Sequence, residues 1–267
     1  MSYRAVPPGN AVNWITEAAR LIMAKPAPFL LMGLAVTLIS LVPLLGALVL
    51  LVIGPALYAG MAAAARAQRE GAGADFEHLL SGLKAENRVG ALIALCLPYL
   101  ALVVVSVMVL TMVVLTFAGA AIAAGSQISS PEAVIAMLGA GGILTAVLVL
   151  LPLVVATFSL LFFAIPRVMF DGIEPFPAMR ESAQACIANF SAFLLTVLAL
   201  LIGRFVLAAV FGSLIPLLGG IVVGVVFTPL IAAVLYVAWR DVFPAAGEQM
   251  QADEAAQPSS APPQIEV

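Results

Sequence analysis

Very few residues in this chain could do chemistry. There is one histidine, His78, and there are two cysteines, Cys96 and Cys186, far apart in sequence. A protein metal centre draws on three or four His, Cys or carboxylate ligands, and a disulfide framework on more than one pair of cysteines. His78, between Glu77 and Leu79, reads as a solvated surface histidine, and the cysteines read as small apolar packing residues. A serine hydrolase would need a base beside Ser40, Ser106, Ser159 or Ser191. His78 and Lys84 lie outside the apolar runs, and Lys25 lies at the edge of the first. Ion-coupled transporters and intramembrane proteases place carboxylates or histidines inside their spans; no Asp, Glu or His falls within an apolar run here. The expectation is a protein that is not an enzyme and has no metal and no cofactor.

One ionisable residue does sit inside an apolar run, Arg204. A charge at mid-bilayer costs about 2.5–3.5 kcal/mol on insertion scales, so such a residue is by default a functional candidate. It can snorkel, meet a lipid phosphate, or pair with an acid. The acid expected on the same side of the membrane is Glu132, at the start of the fourth apolar run, so Arg204 and Glu132 form a candidate intramembrane charge pair. Simple snorkelling of Arg204, with Glu132 solvated, is the alternative.

The elements that position these residues follow from composition. Of 267 residues 64% are hydrophobic and only 9% charged, with a mean hydropathy of +1.18. A soluble domain carries about 25% charged residues. This chain cannot make a polar shell, which excludes a soluble enzyme. Its net charge of −3 gives no basic excess, which excludes a nucleic-acid binder. The expected class is all-α: a polytopic membrane protein with six transmembrane helices in three hairpins. The runs are approximately 28–42, 44–65, 89–124, 133–166, 190–213 and 217–239, long enough, except for a short first one, for the roughly 20 residues that cross a bilayer. They lie in a transmembrane domain over 11–243, between a flexible N-terminus over 1–10 and a disordered acidic cytoplasmic tail over 244–267.

Charge placement supports that count. Arg4, Arg20 and Lys25 precede the first span; Arg66, Arg69, Lys84 and Arg88 lie between the second and third; Arg167 and Arg180 lie between the fourth and fifth; Arg240 follows the sixth. All ten fall on one side, and the eleventh cation is Arg204. By the positive-inside rule both termini are cytoplasmic. No cleavable signal peptide is expected, because the first apolar run begins after Pro26 and Pro28 and ends without a small-residue cleavage site.

A repeated unit is also legible. Val42-Pro43-Leu44-Leu45-Gly46 returns as Ile215-Pro216-Leu217-Leu218-Gly219, and the following prolines are Pro55 and Pro229. Upstream, Trp14–Ala19 lies over Ala178–Ala183, and Phe29-Leu30-Leu31 over Phe193-Leu194-Leu195, at a constant offset of 164. Each unit reads as a cytoplasmic helix, a span, a turn built on Pro43/Gly46 or Pro216/Gly219, and a second span. The pre-span segments carry apolar stripes: Val12, Ile15, Ala19, Ile22; Phe76, Leu79 or Leu80, Leu83; and Phe176, Met179, Ala183, Ile187, Phe190. Each hairpin is therefore expected to follow an amphipathic helix lying in the membrane interface. Asp75 is the expected N-cap of the second such helix, and Pro175 or Pro177 suits the first turn of the third. Gly119, Gly125, Gly139, Gly141 and Gly142 form a small-residue surface, for packing of spans three and four or for self-association.

Several local features now align: Trp14 with Lys25-Pro26-Ala27-Pro28; the Pro-Leu-Leu-Gly turn; Gly54-Pro55-Ala56-Leu57-Tyr58-Ala59-Gly60; Phe163-Ala164-Ile165-Pro166-Arg167; Asp171-Gly172; Ala178-Met179-Arg180-Glu181-Ser182; and Asn189-Phe190. Over roughly residues 6–243 the chain resembles an uncharacterised family of bacterial multi-pass inner-membrane proteins. It is similar in layout to the membrane domain fused to some glycerophosphodiester phosphodiesterases. That resemblance implies no catalytic residues and no cofactor, and the stretch past residue 243 is too short and polar to supply a phosphodiesterase domain.

The functional expectation is a non-enzymatic component of the bacterial inner membrane, a scaffold, a regulator or a lipid-contacting protein. Membrane lipids are its expected partners; a second copy of the chain or another membrane protein remains open. The alternative is an uncoupled permease or carrier for an apolar or lipid-like substrate. A polar cavity lined by Arg204 between the two repeat copies would favour the carrier, and a solid helical bundle the scaffold.

Overall fold

The computed structural model describes residues 3–86, 88–123, 125, 131–215 and 218–244, without the side chains of 121, 131–138 and 140. Among the described residues every regular element is helical: α1 (Asn10–Ala24), α2 (Pro26–Ser40), α3 (Leu45–Arg69), α4 (Ser81–Lys84), α5 (Val89–Ala94), α6 (Leu97–Ala123), α7 (Pro131–Leu161), α8 (Ala164–Pro166), α9 (Pro175–Ala188), α10 (Phe190–Leu214) and α11 (Gly219–Val242), with a 3₁₀ turn at Phe76–Leu80 and a π turn at Arg167–Asp171. Five stretches are long and apolar enough to cross a membrane: Leu45–Arg69, Val89–Ala120, Gly141–Asp171, Phe190–Leu214 and Gly219–Val242. The number is six if α1 and α2, bent by 104°, count as one broken span.

The bend at Lys25 has a local cause. A residue before proline is pushed out of the helical region, and Lys25, before Pro26, has φ −151° and ψ 79°. α2 has only 15 residues, about 22 Å, against roughly 30 Å of hydrocarbon. The span expected at 28–42 is therefore a short helix, below the roughly 20 residues that usually cross a bilayer. The run from 89 is also broken, into α5 and α6. Pro98 has no N–H to donate to the Ala94 carbonyl, and the helix is interrupted over Leu95–Cys96. The run expected from 133 is interrupted at Gly139 (φ 51°, ψ −165°), so its membrane-crossing stretch starts at Gly141.

Two of the glycines expected in turns seat a helix against its predecessor. A Cβ on Gly46 would lie 1.9 Å from the Ile39 carbonyl oxygen, and one on Gly219 2.7 Å from that of Phe211. The Pro43 carbonyl accepts the Leu45 N–H (2.7 Å), and Leu44 takes a positive φ of 61° to close the corner. Pro216, with Leu217, lies outside the described residues, as does the tail from 245.

The core lies at the end of the molecule that holds Tyr3 and Val242. Trp14, Phe29, Met61, Phe163, Phe193 and Val242 are almost wholly buried there, together with the alanines of the lower halves of α3 and α11. Towards the opposite end packing thins, and in α6 only Val113 is buried among the described residues. The pre-span segments contribute to this core. α1 buries Ala11, Trp14 and Ala18 and leaves Val12 and Met23 exposed; α9 buries Ala178, Met179, Ser182, Ala185 and Cys186 and leaves Phe176 and Ile187 exposed. The faces turned inward are thus the small and aromatic residues, and only part of each apolar stripe looks outward. The middle segment is a 3₁₀ turn followed by one turn of α-helix, not a continuous amphipathic helix. Its seat is α3, where a Cβ on Gly60 would lie 2.3 Å from the Leu79 carbonyl oxygen and one on Gly82 2.1 Å from that of Ala56. Asp75 does cap it, accepting the Glu77 N–H at 3.0 Å while His78 Nδ1 accepts the Asp75 N–H at 3.2 Å. The N-terminal stretch expected to be flexible carries tertiary bonds: the Arg4 N–H donates to the Val242 carbonyl (2.8 Å) and the Val6 N–H to Asn189 Oδ1 (2.7 Å).

Candidate functional site

α2 lies along α11, α10 packs on α11, and α6 packs on α7, but α10 makes no comparable contact with α3. The space left open is a groove of about 230 Å³ lined by residues of α3, α6, α7, α10 and α11. Its floor is Leu161, Phe162, Phe193, Phe227, Val234 and Leu235, all buried. Its mouth is formed by Leu151, Phe158 and Leu201, which are exposed, and by Arg204. At the terminal end the groove is plugged by aromatic rings: Phe162 meets Phe163 and Phe193 edge-on at 4.9 and 5.3 Å, and Trp14 lies 6.4 Å behind it.

Three polar side chains interrupt this apolar lining: Arg204, Tyr58 and Tyr99. Tyr58 lies within electrostatic reach of Arg204, and Tyr99 of Tyr58. Among the described residues none of the three makes a side-chain hydrogen bond or an ion pair, and no Asp, Glu or Lys lines the groove. Arg204 is fourteen residues, about 21 Å, along α10. Helical side chains lean toward the N-terminus of their helix, which directs the guanidinium back over the groove and away from the far end of α10. The candidate partner Glu132 lies on α7, but its side chain is outside the described set, so the Arg204–Glu132 pair is not among the described contacts.

A second cluster ties the helices together at the terminal end. Arg167 is 3% exposed; its guanidinium bonds Asp171 (Nη1 to Oδ2, 2.6 Å) and Glu181, and stacks over the Phe243 ring at 4.5 Å. Asp171 also accepts from Trp239 Nε1 (3.0 Å). Beside it, Asp241 accepts from Trp14 Nε1 (2.9 Å), Asn10 Nδ2 (2.7 Å) and Arg4. Ser182 Oγ accepts the Phe163 N–H (2.9 Å) and donates to the Ser159 carbonyl (2.7 Å). These contacts join most of the motif residues, Trp14, Phe163, Arg167, Asp171, Glu181, Ser182 and Asn189, into a clasp. Asp241 gave no sequence signal beyond its place next to Trp239-Arg240.

The other chemically capable residues are accounted for locally. Ser40 Oγ donates to the Thr37 carbonyl (2.6 Å) and Ser159 Oγ to that of Ala156 (2.8 Å). Burial pushes the Cys186 thiol well above its ordinary pKa, despite a hydrogen bond to Ser182 that lowers it. Among the described residues no three His, Cys, Asp or Glu side chains gather around a possible metal position. The small-residue surface divides. Gly141 faces Phe117 of α6, with a Cβ placed 3.3 Å from its ring, whereas Gly119, Gly125 and Gly139 face open space. No family model, curated protein or solved structure matches the chain.

Proposed function

We propose that the chain is a non-enzymatic protein of the bacterial inner membrane that acts by contacting lipid, as a scaffold or regulatory component, with both termini in the cytoplasm. The groove carries this reading. It is roomier than the ~150 Å³ apolar cavity that stays dry and accepts benzene, and its mouth is formed by exposed apolar side chains. The clasp at the terminal end supports the scaffold role by holding α1, α9 and α11 as one unit under the spans. The placement of ten cations on one side supports the orientation, and the outward Val12, Met23, Phe176 and Ile187 support interfacial seating of α1 and α9. In this reading the protein is three hairpins, the first and last being copies of one unit, and it is of the kind whose layout it resembles.

One observation favours the carrier as a second reading: the groove lies between the middle and last pairs of spans, touches the first at Tyr58, and contains Arg204. Its lining is apolar, not the polar cavity a carrier of polar solutes would need.

The test is extraction of the full chain in native membrane discs, followed by detergent exchange and mass spectrometry of retained lipid. Wild type should retain lipid through exchange, and Leu201→Trp, which fills the mouth of the groove, should retain markedly less. Equal retention by both would overturn the groove as the lipid contact. Movement of labelled lipid across vesicles containing the protein, abolished by Leu201→Trp, would replace the scaffold by the carrier.

A further inference from the structure

We infer that the groove is a binding site for an anionic lipid, with the negative head group on Arg204 and one chain along the apolar floor toward Phe193. This rests on the lipid-contacting reading and adds the chemical class of the lipid and the residue that selects it.

Charge sets the class. Arg204 carries a cationic guanidinium with five N–H donors. Here it borders an apolar groove with no lining carboxylate and no partner among the described residues. A cation in such a place is best satisfied by an anion, and a bilayer supplies one in the head group of an acidic lipid. The Tyr58 and Tyr99 hydroxyls line the same groove without a bond to any described residue. They add two neutral donors for ester or phosphate oxygens.

Length sets the chain. From Phe193 to Arg204 is eleven residues of α10, about 16 Å. A chain in this stretch lies across the middle of the bilayer, because Arg204 is about 21 Å along a span of ~30 Å and Phe193 is near its start. A chain with its head at Arg204 would end against the Phe162–Phe193 plug, where the groove closes.

The groove is also an open version of a contact the molecule closes elsewhere. α2 meets α11 through Gly33, where a Cβ would lie 2.1 Å from the Val225 carbonyl oxygen, and through Gly224, where one would lie 2.6 Å from Thr37 Oγ1. In the repeat register, α10 and α3 are the counterparts of α2 and α11. The offset of 164 puts Val197 at the place of Gly33 and Leu201 at that of Thr37; the proline register of 174 puts Leu50 at the place of Gly224. Glycines that admit a backbone on one side are thus replaced by branched side chains on the other. Val197 and Leu201 line the groove on α10, facing a wall made mainly by α7.

The test uses the full-length protein in mixed micelles with three photoactivatable probes carrying the same acyl-chain diazirine: phosphatidylglycerol, phosphatidylcholine and a free fatty acid. Cross-linked peptides are mapped by mass spectrometry. Phosphatidylglycerol should label groove residues such as Leu151, Phe158 and Leu201. Arg204→Leu should reduce that labelling roughly tenfold, the factor carried by one charge-assisted contact, while Arg204→Lys keeps most of it. Labelling by the fatty acid but not by phosphatidylglycerol would keep the anion and change its source from phosphate to carboxylate. Equal labelling by phosphatidylcholine, unaffected by Arg204→Leu, would overturn the anion on Arg204 and leave the groove as a neutral lipid contact. Labelling by no probe anywhere in the groove would overturn both. Arg204 is exposed on α10, so its apolar replacement leaves the fold intact, and elution as a single species checks this.

Discussion

Substituting Gly33 by alanine probes the tightest contact between spans. A Cβ at this position would lie 2.1 Å from the Val225 carbonyl oxygen, 2.9 Å from the Val225 carbonyl carbon and 3.0 Å from Pro229 Cδ. Two of these three atoms are backbone and the third is in a proline ring, so none can rotate away. Restoring an ordinary contact of about 3.5 Å requires α2 and α11 to part by roughly 1.4 Å. A gap of 0.5–1 Å already forfeits a quarter to a half of a dispersion contact, and the whole shared face is affected, including Phe29, Met32 and Val36 on α2. Overpacking typically costs 1–3 kcal/mol, and the upper end, about 3 kcal/mol, is expected because the neighbours are rigid. At 2–4 °C per kcal/mol for a domain of this size, that is a fall of roughly 6–12 °C in Tm. The assay is thermal aggregation in detergent followed by size-exclusion chromatography. Gly212→Ala, with nothing within 4 Å of its added Cβ, is the control and should not fall. Gly33→Ala melting within a degree or two of Gly212→Ala would refute the close crossing of α2 and α11, and with it the contrast between that contact and the open groove.

Two further outcomes are expected. Arg167→Met should destabilise the fold by about 1.5–3 kcal/mol, because it removes the charged hydrogen bonds to Asp171 and Glu181, and combining it with Asp171→Asn and Glu181→Gln should recover part of the loss; a triple variant no more stable than Arg167→Met in the same melt would show the ion cluster is not what matters there. For orientation, single cysteines at Ser129 and Ser213 should react with a membrane-impermeant maleimide from outside the cell, while Ala72 and Ala246 should not; outside labelling at Ala72 would reverse the proposed topology.

What was legible in the sequence was what depends on composition and on local chemistry. Apolar runs between charged segments marked five of the membrane-length helices to within a few residues, except at Gly139, where a backbone break moved one boundary. Asp75 was readable as a cap because capping uses side chains only two or three residues away. The failures were tertiary. A stripe such as Val12, Ile15, Ala19 and Ile22 shows that a helix has an apolar side. It does not show which part of that side meets protein and which meets lipid, since both are apolar. The indole of Trp14 and the carboxylate of Asp241 meet across 227 residues, a pairing no spacing rule supplies. Arg204 was conspicuous because a charge in an apolar run is conspicuous. The groove beside it was hidden, because it depends on how closely two helices approach.

That approach depends on the size of the residues where two helices cross. Gly33 and Gly224 allow α2 and α11 to close, whereas α10 makes no comparable contact with α3. In water an apolar gap of that kind would tend to collapse, because its walls would gain by leaving the solvent. In a bilayer the driving force is missing, since lipid tails are as apolar as the side chains they would replace, and only packing decides whether helices close. A membrane protein can therefore keep an apolar groove open at little cost, provided lipid fills it. The cost falls on the one charge at its mouth, which an apolar chain cannot satisfy. Arg204 makes sense in this architecture if whatever occupies the groove brings an anion with it.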